Sequence, residues 1–132
     1  MKLEHTAYQV QDPVALAQWY VAHLGMSVAR EHGAPAFGRF LADNSGDVML
    51  EFYNNPRVSV PDYRAIDPLI LHIAFYADDV AAERRRLIAA GATPEGDVQH
   101  HDSGDVVAML RDPWGLAVQL VNRREPMLRQ QR

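Results

Sequence analysis

The stretch LEHTAYQVQDPVALAQWYVAHLGM, residues 3–26, decides the fold, because LHIAFYADDVAAERRRLIAAGA at residues 71–92 repeats its plan. Each begins with a histidine in a short apolar run that reads as a β-strand. Aspartate follows (Asp12, then Asp78 and Asp79), and after it a segment of helical character that ends at a glycine, Gly25 or Gly91. Aspartate before a helix accepts the free N–H groups of its first turn. Pro13 suits the first helical position, where no N–H is needed. A glycine after the last turn adopts the left-handed conformation that ends a helix. From histidine to terminating glycine is 20 residues in the first stretch and 19 in the second.

Beyond each glycine come a strand-like stretch, a loop and two further candidate strands. The last strand of each set is VMLEFYN (48–54) or GLAVQLVN (115–122). Asp112, Pro113, Trp114 and Gly115 stand where a type I turn prefers them, and Asp43-Asn44-Ser45-Gly46 is the counterpart in the first half. The plan is βαβββ, given twice. It predicts an α+β protein of two βαβββ modules. The first module is placed at residues 1–56, a linker at 57–68 with prolines at Pro61 and Pro68, the second module at 69–123, and a C-terminal tail at 124–132.

Four residues that can ligate a metal occupy matching points of this repeat. His5 and Glu51 lie 46 positions apart, His72 and Gln119 lie 47 apart, and each sits in one of the apolar runs. Side chains alternate across a strand, so parity tests whether these groups share a face. Leu50 and Phe52 flank Glu51, Leu71 and Ile73 flank His72, and Val118 and Leu120 flank Gln119. That predicts one apolar face packed on the helices and an opposite face with a single central polar group per strand. On that second face Tyr53 and Tyr76 are candidates for the wall of a pocket. A lone strand histidine is more often hydrogen-bonded structure than ligand; four matched positions favour the metal.

Bulk properties narrow the rest. A chain of 132 residues with 48% hydrophobic content has the material for a packed core. A formal charge of −4 argues against nucleic acid or an anionic membrane as partner. The Arg84-Arg85-Arg86 triplet reads as a solvated helix face, and Arg123, Arg124, Arg129 and Arg132 as a frayed terminus. With no cysteine, disulfides and thiolate metal sites are excluded. No apolar segment resembles a signal or a membrane span, so the expectation is a soluble cytoplasmic protein. Two imidazoles, one carboxylate and one amide oxygen suit a divalent Zn, Ni, Mn, Fe or Co ion.

Residues 2 to about 122 resemble the vicinal-oxygen-chelate superfamily (glyoxalase, bleomycin-resistance and extradiol-dioxygenase type), most of all bacterial glyoxalase I. The resemblance rests on the two stretches quoted above, on VMLEFYN and on VVAMLRDPWGLAVQLV. It implies that the two βαβββ modules form a curved mixed sheet around a metal-binding cavity, and that His5, Glu51, His72 and Gln119 hold a divalent metal there. It implies too that the partner is a small-molecule substrate or ligand, and that the protein is a homodimer whose modules pair within one chain or across two. It also implies a metal-dependent lyase or isomerase that acts through a metal-stabilised enediolate on a small oxygenated substrate. Two departures qualify it. Gln119 stands where glyoxalase I has a glutamate that also serves as base, and an amide cannot take a proton at neutral pH. Proton transfer then falls to Glu51, the catalytic candidate, to metal-bound hydroxide, or to a nearby loop histidine such as His101. Gln9 stands where an arginine is thought to hold a glutathione carboxylate. A drug-sequestering binding protein and an iron-dependent oxygenase are the alternative readings. Residues 30–40 and 99–105, with His32, His100 and His101, are expected to rim the cavity.

Overall fold

The structure, a computed structural model, describes residues 1–128; Arg129 and Arg132 of the expected tail lie outside the described residues. The chain forms two compact units that divide between Pro61 and Asp62. The first runs β1 (His5–Gln9), α1 (Pro13–Leu24), β2 (Ser27–Glu31), β3 (Arg39–Ala42) and β4 (Met49–Tyr53). The second opens with a 3₁₀ turn at Tyr63–Ala65, then β5 (Ile73–Tyr76), α2 (Val80–Ala89), β6 (Thr93–His100), β7 (Val106–Arg111) and β8 (Ala117–Asn122). Each unit holds a four-stranded mixed sheet, ordered β1-β4-β3-β2 and β5-β8-β7-β6. In both, the first and last strands pair in parallel and the other neighbours antiparallel. The α+β plan of two βαβββ modules is therefore present.

The repeat extends to single hydrogen bonds. Asp12 caps α1 by accepting from Ala15 N at 3.0 Å, and Asp79 caps α2 by accepting from Ala82 N at 2.9 Å. Val10 N donates to Tyr53 O at 2.8 Å, and Ala77 N to Val121 O at 3.0 Å. At the ends of β4 and β8, Asn54 Nδ2 donates to Gln11 O and Asn122 Nδ2 to Asp78 O. Each helix lays an apolar stripe on its own sheet. Leu16 and Tyr20 are buried with Leu41 and Phe52, the Tyr20 and Phe52 rings 5.0 Å apart, and Leu87 is buried with Leu110, Val118 and Leu120. Burial of such side chains contributes roughly 1.5–3 kcal/mol each.

One strand begins later than its sequence suggests. LILHIAFYA reads as strand from Leu69, yet β5 starts at Ile73. Residues 68–71 instead form a turn in which Asp67 accepts from Leu69 N at 2.8 Å, and Ile70 N donates to Asp67 O at 2.9 Å. Leu69 and Ile70 are consequently 85% and 79% exposed and belong to no sheet face.

Residues 62–66 are held to the second unit by Arg111. This guanidinium, on a side chain with little exposure, donates to Tyr63 O, Ile66 O and Gly115 O and pairs with Glu95. Asp112, buried beside it, accepts from Trp114 N and Leu116 N, both at 2.9 Å, and so fixes the turn into β8. Gly115 closes that turn at φ +96°, and a Cβ there would collide with the Arg64 side chain. Gly115→Ala is expected to cost about 1–3 kcal/mol through left-handed strain alone, with the collision adding to it, read as a lowered Tm.

Asp105 anchors the chain after β8, accepting from Arg123 Nη1 at 2.8 Å and from Arg124 N at 3.0 Å. The Arg123 hydrogen bond, followed by the Arg124 N–H, holds its carboxyl below the ordinary 3.8. A depressed carboxyl stabilises the fold above its unfolded pKa, and the stabilisation is lost as pH falls through the folded value. Asp105→Asn should therefore lower Tm at neutral pH, and the gap from wild type should close as the pH drops below 3.8.

Candidate metal centre

Strand register places His5 and Glu51 on one face of the first unit and Gln119 on β8 of the second, while His72 lies ahead of β5, outside the register. In the first unit β1 and β4 align His5 with Met49 and Ala7 with Glu51. His5 and Glu51 therefore share the face opposite Phe52 and the helix. His5 Nε2 lies 3.7 Å from Glu51 Oε2, longer than a hydrogen bond. Two donors that share one ion through bonds of ~2.1 Å lie about 3–4 Å apart, so this separation fits a shared metal. Phe40, paired with Glu51 across β3 and β4, sets its ring edge against His5 at 5.5 Å.

In the second unit Gln119 pairs with Ala74 on one side and Met109 on the other. It is half-buried, opposite the Val118 and Leu120 face, and lines a cleft of about 240 Å³ together with Met109, Val107 and Glu95. His72 stands just ahead of β5, exposed, its orientation set by the turn that precedes it.

Both histidines have one ring nitrogen already engaged. His5 Nδ1 lies 3.0 Å from Glu4 Oε1, and His72 Nδ1 lies 2.7 Å from Pro68 O. A carboxylate and a carbonyl only accept, so each Nδ1 is the donor and each neutral ring keeps its lone pair on Nε2. That is the arrangement in which a metal-binding histidine is held by an outer partner. The donor set thus suits a divalent ion. Among the described residues no three His, Cys, Asp or Glu side chains gather at one point, so neither pair is a complete site by itself.

Other chosen residues fall elsewhere. Gln9 shares the His5 face by parity but is buried by the chain itself. Its amide donates to Asn54 Oδ1, Asn55 O and Val58 O, and its carbonyl accepts from Asn55 N at 2.8 Å. It is a latch for the segment after β4. The Tyr76 hydroxyl is likewise taken up, donating to Asp78 and accepting from Asn122. His101 sits in the exposed turn between β6 and β7, its N–H bonded to Asp105 O at 2.9 Å. His32, in the loop after β2, packs its ring on Phe40 at 6.1 Å and so stands on the same ring cluster as His5. Sequence pattern alone does not separate these two histidines. Only the pairing of β2 with β3 does.

Residues 2–120 match the family described as Glyoxalase/Bleomycin resistance protein/Dioxygenase superfamily. No curated protein is similar enough to match. Among solved structures, SMU.1112c is 33% identical, covers 92% of this chain and 98% of its own, and superposes with a TM-score of 0.72. Glyoxalase I from Zea mays is 22% identical over 94% of this chain but only 45% of the maize chain, with a TM-score of 0.74. TnmS3, an antibiotic binding protein from Streptomyces sp. CB03234, is 21% identical over 91% of this chain and 93% of its own, with a TM-score of 0.69.

The Gln9 latch makes a direct prediction. Gln9→Ala removes the acceptor of the Asn55 N–H and a donor to the Asn55 and Val58 carbonyls, and should cost about 1–3 kcal/mol in denaturant unfolding.

Proposed function

Since the chain belongs to the Glyoxalase/Bleomycin resistance protein/Dioxygenase superfamily, we propose that it is a glyoxalase-like metalloprotein, a lyase or isomerase of a small oxygenated substrate. The ligands we propose are His5, Glu51, His72 and Gln119, the set that the family resemblance implies. The observation that carries this reading is that both histidines are held at Nδ1 by an acceptor, leaving Nε2 to bind. When bound, a divalent ion supplies Lewis-acid polarisation of a substrate oxygen.

The chain's own residues divide the remaining work. Glu51 is the only carboxylate of the set and its side chain is mostly shielded, so it is the group that can accept a proton from the substrate. Gln119 can offer an amide oxygen and nothing basic. A dedicated base contributes roughly 10²–10⁴-fold, so a chain with Gln119 turns over slowly by comparison. Phe40 supplies an apolar ring edge beside His5.

A second reading, binding and sequestration of a small molecule, gains support from the same Gln119, because capture requires no base. The likeness to an antibiotic binding protein agrees with it at the level of fold. The homodimer implied by the resemblance belongs to either reading, and light scattering on the purified protein checks it.

Metal analysis of protein purified without added metal, then Zn or Ni loading and assay with methylglyoxal and glutathione, tests the proposal. Bound metal that disappears in both His5→Ala and His72→Ala, with weak activity raised about 10²-fold or more in Gln119→Glu, is the expected result. Metal content indifferent to both histidines overturns the ligand set. Metal binding with no turnover in either form overturns the lyase and leaves the binding protein.

A further inference from the structure

The face of the first unit that carries His5 and Glu51 also carries an arginine, Arg30, that nothing among the described residues uses. Register runs across three strands from Glu51 to Phe40 and from Phe40 to Arg30. Directly paired residues share a face, so Arg30, Phe40 and Glu51 stand in one row on the side away from α1.

Arg30 reaches that row only because β2 is irregular. Val28 pairs with Leu41 and Arg30 with Phe40, so two residues of β2 span one step of β3. Leu41 is buried on the helix side. Without the extra residue, Ala29 would stand opposite Phe40 and Arg30 would fall on the helix side. Bulges that re-aim one side chain in this way concentrate beside functional sites.

The two arginines of this hairpin differ sharply. Arg39 is consumed by the carbonyls of His32, Phe37 and Gly38 and by Glu31, and it holds the loop shut. Arg30 is exposed, and among the described residues its guanidinium has no hydrogen bond or ion pair. A structural arginine would resemble Arg39. His32 stands two residues on, its ring against Phe40, so a second potential donor lies beside Arg30.

We propose that Arg30 is the anion anchor of this face, gripping a carboxylate, phosphate or phosphonate on the ligand while His5 and Glu51 engage its oxygenated end. The proposal rests on the metal reading above for that second end, and on strand register alone for the first. Neighbouring strands lie ~4.8 Å apart, so the backbones of Arg30 and Glu51 are roughly 10 Å apart, with Phe40 between them. The ligand class is accordingly a small molecule with an anionic terminus, an apolar or aromatic middle that lies on Phe40, and vicinal oxygens at the far end. A planar guanidinium fork matches such a terminus with paired charge-assisted bonds.

Phenylphosphonate, which has the anion and the ring but no vicinal oxygens, is the probe, and metal-free protein is the sample. Titration followed by NMR should shift the Arg30 Nε–H and His32 ring resonances saturably. Arg30→Gln should weaken binding about tenfold or more, Arg30→Lys should lie between, and Arg85→Gln in the other unit should match wild type. Benzyl alcohol, the uncharged analogue, should bind equally to wild type and Arg30→Gln. Equal phenylphosphonate affinity in wild type and Arg30→Gln, or shifts that map away from Arg30, overturns the anchor. Metal retention by Arg30→Gln is measured in parallel. Loss of the metal reading leaves the titration able to decide on Arg30, so the two failures are distinguishable.

Discussion

Everything at the candidate site depends on the parallel pairing of each unit's first and last strands. Parallel neighbours cannot be joined by a tight turn and need a crossover long enough to hold a helix. Here the crossover holds a helix and two further strands, which brings β1 beside β4 and β5 beside β8. The register of that pairing, Ala7 against Glu51 and Ala74 against Gln119, is what makes residues far apart in sequence into neighbours on one face. A slip of one residue would turn Glu51 into the core and Phe52 out of it. The buried stripe of Tyr20, Phe52 and Leu41 therefore guards the site's geometry as well as the stability of the unit.

The two units keep their framework and differ where chemistry would be done. Their caps, strand-end asparagines and first-to-last strand hydrogen bonds correspond one for one. Against that constancy, the first unit offers a carboxylate at Glu51 where the second offers an amide at Gln119. The histidines are also held differently. His5 relies on a side chain, Glu4, whereas His72 relies on the Pro68 backbone carbonyl within a turn.

Most of this framework was legible because it is written in periodic signals. The helices announced themselves by Asp, Pro and Gly at fixed offsets, and β4 and β8 by strict alternation around Glu51 and Gln119. Where the reading failed, the deciding interaction was not periodic. Leu69-Ile70-Leu71 is as apolar as any strand, but Asp67 caps the turn before it, and one side-chain bond outweighs three hydrophobic residues that have no sheet to join. Gln9 has the right parity for a pocket, yet parity cannot tell a side chain that faces a ligand from one consumed by its own loop. Arg30 was visible only as part of a segment, because the bulge that aims it breaks the alternation on which strand reading depends.

Magnitudes show why a carboxylate at Glu51 and an anion at Arg30 are compatible on one face. Two unit charges roughly 10 Å apart in water interact by about 0.4 kcal/mol, and salt at physiological strength screens at ~8 Å and reduces this further. A hydrogen bond to a charged group contributes about 1.5–3 kcal/mol. Contact with the guanidinium therefore outweighs the distant repulsion several times over. The separation that two strands impose is what permits one face to recognise an anionic terminus at one end and keep a proton acceptor at the other.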